Sequence, residues 1–252
     1  MQESEVKIKS LQKALLVLEC FTVETPELGI TEISEKLDLY KSNVHNIIST
    51  FERCGYIAQN PQTGKYRLDL KILERAFVIN SSLGLHGIVH PFMTALSEEV
   101  GESVYFALPK DEKIIYLEGA YPTSTFMARS MVGEKAEMYC TALGKSILSN
   151  LPEREYEWAL AHQSMKPFTG NTITERDALI HELIIVRKRG YSIDNMEHEH
   201  GIRCVSVPVF RRNRTLLGAI SISGPSPRIE DELIPKLVEK LTACADQISL
   251  RL

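Results

Sequence analysis

Residues 11–67 constrain the fold of this chain most. Three short helical patterns run into a two-strand pattern, which is the order of a winged helix-turn-helix. The first, LQKALLVLECF (11–21), places Leu11, Ala14, Leu15 and Leu18 on one helical face, with Ser10 as its N-cap. Pro26 and Gly29 break it. Thr31 opens a second helix, TEISEKL, in which Ile33 and Leu37 share a face; Thr31 with Ser34 and Glu35 approximates a capping box. After the turn Asp38-Leu39-Tyr40 a third helix covers KSNVHNIISTFERC (41–54), and Gly55 closes it in a left-handed cap. YIAQNPQTGKYR (56–67) then carries two short apolar segments around Asn60-Pro61-Gln62-Thr63-Gly64, a hairpin.

The third helix carries the first functional signal. Val44, Ile47, Ile48 and Phe51 fall on one face. The opposite face holds Ser42, Asn46, Ser49 and Arg53, flanked by Asn43, His45 and Thr50, and acids are absent until Glu52. A solvated helix face normally mixes Glu with Lys. This one offers short hydrogen-bonding side chains that can reach base edges without repelling phosphates. Lys41 at the helix start, and Lys65 and Arg67 on the hairpin, suit the sugar-phosphate rail. The competing reading is a small helical lid with a polar surface. Local charge favours nucleic acid: the chain carries −4 overall, yet residues 40–75 carry +3 against −4 over residues 1–39.

The chain has 252 residues, enough for two ordinary domains. Its 44% hydrophobic and 25% charged content excludes wholesale disorder. No apolar run reaches the roughly 18 residues of a membrane span, and the charged start MQESEVKIKS is no secretory signal. Five scattered cysteines form neither a disulfide framework nor a C-x-x-C motif, so a cytoplasmic location is expected. A helix over Leu70–Ser82, with Ile72, Ala76 and Ile79 apolar, links two domains and ends near Ser81-Ser82-Leu83-Gly84.

From Leu85 helices interleave with antiparallel hairpins, which predicts an α+β domain. HPFMTALSEEVGE is an amphipathic helix. SVYFALPKDEKIIYLEGAY is a hairpin turning at Pro109-Lys110-Asp111-Glu112. TALGKSILSNL and ERDALIHELIIVRKRGY are helices, the second closed by Gly190. RCVSVPVFRRNRTLLGAISISG is a hairpin turning at Arg211–Arg214, and PKLVEKLTACADQISLRL is a last helix.

Two segments here bear on chemistry. Gly144-Lys145-Ser146 has the form of a P-loop ending, but Tyr139 stands where the first glycine of a phosphate cradle must be, so a nucleotide site is not expected. Asp194, His198, His200 and Cys204 read as metal ligands, as a Cys-His-Asp nucleophile system, or as a structural group in which Cys204 is a buried strand cysteine.

SLQKALLVLECF and LGITEISEKLDLYKSNVHNIISTFERCGYIAQNPQTGKYRL resemble the DNA-binding end of IclR-type bacterial transcriptional regulators, which read close to KSTVHRLLxTLExxGYL at the recognition helix. Here Asn43 replaces the usual Thr and Asn46 the usual Arg. The resemblance covers nearly the whole chain. It implies a winged helix-turn-helix domain over 1–70, a linker helix over 71–84 and a GAF-like (profilin-like) effector-binding domain over 85–252. The family motifs G(Y/F)xxDxxExxxGxxCxAxPV and AxSxSGPxxR imply a pocket to which this chain brings Asp194, Cys204, Ser221 and Ser223, with Ala142 and Leu143 at a helix start facing the ligand. Ser206 stands where Ala is common; Leu143 and Met127 shape the wall. Family pockets of this kind take small organic acids, which suit N–H groups at a helix N-terminus.

The expectation is a repressor that binds an operator duplex and answers to a small organic acid, without enzymatic activity, cofactor or resident metal. It would act as a homodimer or dimer of dimers, through faces on Leu11–Phe21 and the 70–80 helix. The alternatives are a metal or thiol sensor built on Cys204, His198 and His200, and a Cys204-dependent hydrolase.

Overall fold

The computed structural model describes residues 6–123 and 130–252. The chain divides into two compact units, residues 1–83 and 84–252. The first unit runs α1 (Lys9–Glu19), α2 (Ile30–Leu37), α3 (Lys41–Arg53), β1 (Ile57–Gln59), β2 (Tyr66–Leu68) and α4 (Lys71–Leu83). Its core gathers Val17, Cys20 and Phe21 with Leu28, Ile33, Val44, Ile48 and Ile57; Ile47 and Phe51 lie half-buried against it. β1 and β2 form the expected hairpin, with Ile57 opposite Leu68. Leu28 pairs with Tyr66 on the outer side of β2, through two backbone hydrogen bonds of 2.9 Å.

In this unit the starts of α1 and α2 differ from expectation. α1 begins at Lys9 after Ile8, so Ser10 lies inside it rather than capping it. Only its last turn reaches the core; Leu11 and Leu15 run past the edge and stay exposed. α2 starts at Ile30, one residue early, which puts Glu32 at the third helical position. Glu32 Oε2 therefore accepts the Gly29 N–H at 2.6 Å, while Ser34 donates to Leu39 O instead. Asp38 (φ 51°) and Gly55 (φ 78°) take left-handed conformations that bound the helix-turn-helix. α4 has no buried residue: Leu73 is 63% exposed and Phe77 71%.

The second unit runs α5 (His86–Val100), β3 (Ser103–Lys110), β4 (Lys113–Ala120), β5 (Lys135–Glu137), α6 (Ala142–Leu148), α7 (Glu153–Ala161), α8 (Arg176–Arg189), β6 (Ser192–Asn195), β7 (Ile202–Phe210), β8 (Leu216–Pro225) and α9 (Ile234–Ser249). The strands form one antiparallel sheet in the order β5-β4-β3-β8-β7-β6. Strand alternation assigns its two faces. Val205, Val207, Val209, Ile220 and Ile222 face α5 and α9 in one apolar core. Tyr105, Ala107 and Ala219 turn the other way, toward a second core with α6, α7 and α8.

α5 starts four residues before the predicted His90, because Leu85 and Val89 are buried and draw an extra turn into the core; Pro91 lies inside the helix rather than opening it. The first hairpin turns on Asp111-Glu112 alone, with Asp111 at φ 56°, and Pro109 and Lys110 belong to the strand. The second turns at Arg211–Arg214 as expected.

Gly144 is required by close approach. A Cβ there would collide with Cα of Met138 and lie 2.5 Å from the Met138 carbonyl oxygen. Gly144→Ala should therefore destabilise this unit by about 1–3 kcal/mol, the cost of overpacking against backbone. A thermal melt checks this, and an unchanged midpoint would contradict it.

Candidate functional site

The polar face of α3 is not packed inside its own unit. Lys41, Ser42, Asn43, His45, Asn46 and Arg53 are exposed and Ser49 is half-buried, while Val44 and Ile48 point inward. The basic residues of the hairpin are placed less simply. Lys65 Nζ sits 2.9 Å from Glu32 Oε1, and Arg67 Nη1 lies 3.9 Å from Glu27 Oε1. Glu27 also accepts hydrogen bonds from Asn60 Nδ2 and Thr63 Oγ1, tying the hairpin tip to the segment before α2. Exposed pairs of this kind contribute at most about 1 kcal/mol, so a phosphate can displace the carboxylates.

The second unit holds a cavity of about 890 Å³ beneath the start of α6. Sheet register builds its floor. Ser103 of β3 lies opposite Ser223 of β8, Ser223 opposite Cys204 of β7, and Cys204 opposite Asp194 of β6. One row across four strands thus carries two hydroxyls, a thiol and a carboxyl. The next row on the same face carries Tyr105, Ser221, Ser206 and Ser192. Ala142, Leu143, Asp194, Cys204, Ser221 and Ser223 all line the cavity. Met127 lies outside the described residues; Met131 is in the wall.

α6 is held down by polar bonds rather than apolar packing alone. Thr141 caps it, accepting the Gly144 N–H at 3.1 Å. Ser192 donates to Ala142 O at 2.6 Å, and Ser146 donates to Ser206 O at 3.0 Å. Lys145 is 1% exposed, with Nζ 2.5 Å from Glu197 Oε1 and 4.0 Å from Glu182 Oε1. Gly144-Lys145-Ser146 is thus an anchor of α6. The Ala142 and Leu143 N–H groups have no intrahelical acceptor and stand at the cavity.

The arrangement weighs against both alternatives for Cys204. Its thiol donates to Ser223 Oγ at 3.1 Å. Burial, then the charge of Asp194, pushes it above the ordinary thiol range, the opposite of what a nucleophile needs. Cys204, His198 and His200 do not converge into a metal site: among the described residues the one cluster of three metal-ligating side chains is His86, His90 and Glu118. His198 lines the cavity with its ring 5.0 Å from that of Phe168, and His200 is exposed.

Comparison with known proteins decides the family. The IclR helix-turn-helix domain model matches residues 10–61, and the bacterial transcriptional regulator IclR C-terminal model matches residues 78–250. The chain belongs to the IclR family. The regulator XynR of Escherichia coli is 32% identical to it over 93% of each chain. The acetate operon repressor of Salmonella typhimurium is 29% identical, covering 97% of this chain and 90% of its own. The crystal structure of Thermotoga maritima IclR superposes with a TM-score of 0.76 at 31% identity, over 97% of this chain and 98% of that one. This IclR-family chain is a DNA-binding transcriptional regulator. Among the described residues no helix is long and apolar enough to cross a membrane.

Sequence reasoning missed several cavity residues of this IclR-family regulator. Tyr105, Tyr116 and Thr141 line it, and so does an ion pair in which Arg228 Nε meets Glu102 Oε1 at 2.8 Å. The serine-rich AISISG pattern signals its own strand face, but only register brings β3 and β4 alongside.

Asp194 is the most perturbed acid of the cavity. Burial pushes its pKa up to about 7, against the opposing N–H bond from Glu197 at 2.7 Å. A carboxyl raised in the folded state keeps a proton that the unfolded chain has already released. Its contribution is therefore greatest below its unfolded pKa and is lost as pH rises toward 7. The melting temperature of Asp194→Asn relative to the parent should rise between about pH 4 and pH 7 and level off above that. A pH-independent difference would place the titration elsewhere.

Proposed function

We propose that this protein is an operator-binding repressor whose DNA affinity is set by a small organic acid held in the cavity under α6. The observation that carries the reading is the row Ser103–Ser223–Cys204–Asp194, which lines one cavity together with Ala142 and Leu143 at the start of α6. Helix-start N–H groups favour an anion. The hydroxyls and a carboxyl that stays protonated up to about pH 7 donate hydrogen bonds to it.

On the DNA side, Ser42, Asn43, His45, Asn46, Ser49 and Arg53 face the major groove, and Lys41, Lys65 and Arg67 hold the backbone. One winged helix buries too little surface for tight specific binding, so two act together, spaced about 34 Å apart. The exposed apolar residues of α1 and α4, Leu11, Leu15, Leu73 and Phe77, fit pairing with a second copy. Repression is the mode named for the Salmonella relative. The organic acid acts by binding the DNA-competent and DNA-incompetent states with different affinity; no other property of a ligand can shift that balance.

Thermal-shift screening of the intact protein against carboxylic, keto and aromatic acids tests the reading. An acid that stabilises the protein should also change its retention of the DNA flanking its own gene. Replacing Ser221 and Ser223 together by alanine should abolish that stabilisation while the ligand-free melting point stays close to the parent's. A shift that survives the double substitution would place the acid elsewhere, and no specific DNA retention at any salt would end the reading.

A further inference from the structure

We propose that His86, His90 and Glu118 form a binding site for a divalent transition-metal ion of the zinc class, on the sheet face opposite the cavity. His86 and His90 are four residues apart in the first turns of α5, so both project from one side of the helix. Their rings stack with centroids 4.9 Å apart. Both present Nδ1 to one carboxylate. Glu118 reaches them from β4 and is 8% exposed. Its Oε1 lies 2.7 Å from His86 Nδ1 and its Oε2 3.4 Å from His90 Nδ1. The ligating atoms all lie within 4.8 Å of one another.

An imidazole–carboxylate pair accounts for only part of this geometry. It explains His86, which makes a hydrogen bond to Glu118. It leaves His90 Nδ1 shut off from solvent without a hydrogen-bond partner. Two polar rings crowded onto one buried carboxylate, one ring unsatisfied, is a cost that a shared cation removes.

The donor set also selects the ion. Two imidazoles and one carboxylate are the ligands of a three-coordinate protein zinc site with a fourth position left to water, and paired histidines at i and i+4 are a recurrent way of supplying two of them. Nitrogen donors favour zinc, copper or nickel over magnesium or calcium. Bonds of about 2.0–2.1 Å set tetrahedral ligands roughly 3.3 Å apart, so the three atoms must move by about 1 Å. The His86 side chain, 64% exposed, is free to supply that movement while β4 holds Glu118. The bound ion would fasten the first turn of α5 to β4, two residues after Gly84.

Zinc titration of the full-length, chelator-stripped protein against a chromophoric chelator tests this. The expected stoichiometry is one ion per chain. His86→Ala and His90→Ala should each weaken binding by about 100-fold or more, since loss of even an outer-shell partner costs 10–100-fold. Cys204→Ser should leave binding unchanged. Cobalt substitution should give visible d–d bands without a thiolate charge-transfer band. His86 is exposed, so its variant keeps the fold intact. Failure to retain zinc, or full retention by the His86→Ala/His90→Ala double variant, would overturn the proposal and leave only an imidazole–carboxylate pair.

Discussion

Replacing Lys145 by methionine is expected to destabilise the second unit by about 3–5 kcal/mol, the cost of removing one partner of a buried ion pair. The ammonium is 1% exposed and bound to Glu197 at 2.5 Å, so its loss strands a carboxylate in the core. Glu197 is poorly placed to survive alone: its Oε2 already lacks a hydrogen-bond partner, and burial already raises its pKa against the pull of Lys145. In the variant that rise must grow, and Glu197 takes up a proton on folding. A raised carboxyl stabilises below its unfolded pKa and loses that contribution as pH rises, so the deficit should be larger at about pH 8 than at about pH 5. Adding Glu197→Gln to Lys145→Met should recover a large part of the loss at the higher pH. The single tryptophan, Trp158, lies in α7 of this unit, so its fluorescence during urea unfolding reports the transition. A loss below about 1 kcal/mol would mean that solvent reaches the pair despite its burial.

The second large effect is expected on the DNA side. Asn46→Glu should lower operator affinity by about 100-fold or more, combining a lost base contact of about 1–3 kcal/mol with repulsion from the phosphates. The substitution should leave the fold unchanged, because Asn46 is exposed and the bond it receives, from Thr50 Oγ1, goes to its main-chain oxygen. Asn46→Arg restores the residue usual in the family at this position. It should strengthen binding to unrelated DNA more than to the operator and steepen the salt dependence. Fluorescence anisotropy with labelled duplexes at several salt concentrations measures both. Asn46→Glu binding within about threefold of the parent would remove α3 from the groove.

The elements read well from sequence are those whose signals are local. α3 is bounded by a turn and a glycine, and its inward face repeats every three or four residues, so its extent and orientation follow from the chain itself. α1 was legible as a helix but not in its packing: which of its apolar residues meet the core depends on how far it overhangs α2 and α3. β5 and β6 are not legible in the sequence, being three and four residues long with a single apolar residue each. α7 buries only Ala159 and Leu160, too narrow a stripe to register as a period.

The cavity divides in the same way. Ser221 and Ser223 share a face by strand alternation alone. That Ser103, from a strand far earlier in the chain, completes their row is a fact of register. Lys145 is a similar case: the missing first glycine denies its GKS triplet a phosphate role, but nothing local tells that the lysine is buried against a carboxylate. His86 and His90 carry a local signal in their spacing, but it means little until β4 delivers Glu118.

The carboxylates around the hairpin have a consequence for how such a protein finds its target. If Lys65 and Arg67 hold the duplex backbone as proposed, each arrives beside a carboxylate, Glu32 at 2.9 Å and Glu27 at 3.9 Å, and exchanges one anion for another. The carboxylate set free takes up a cation as the phosphate releases one, so the exchange would yield little net attraction to arbitrary sequence. On that reading loitering on the vast excess of irrelevant chromosome would be curtailed, and discrimination would pass to the uncharged amides and hydroxyls of α3.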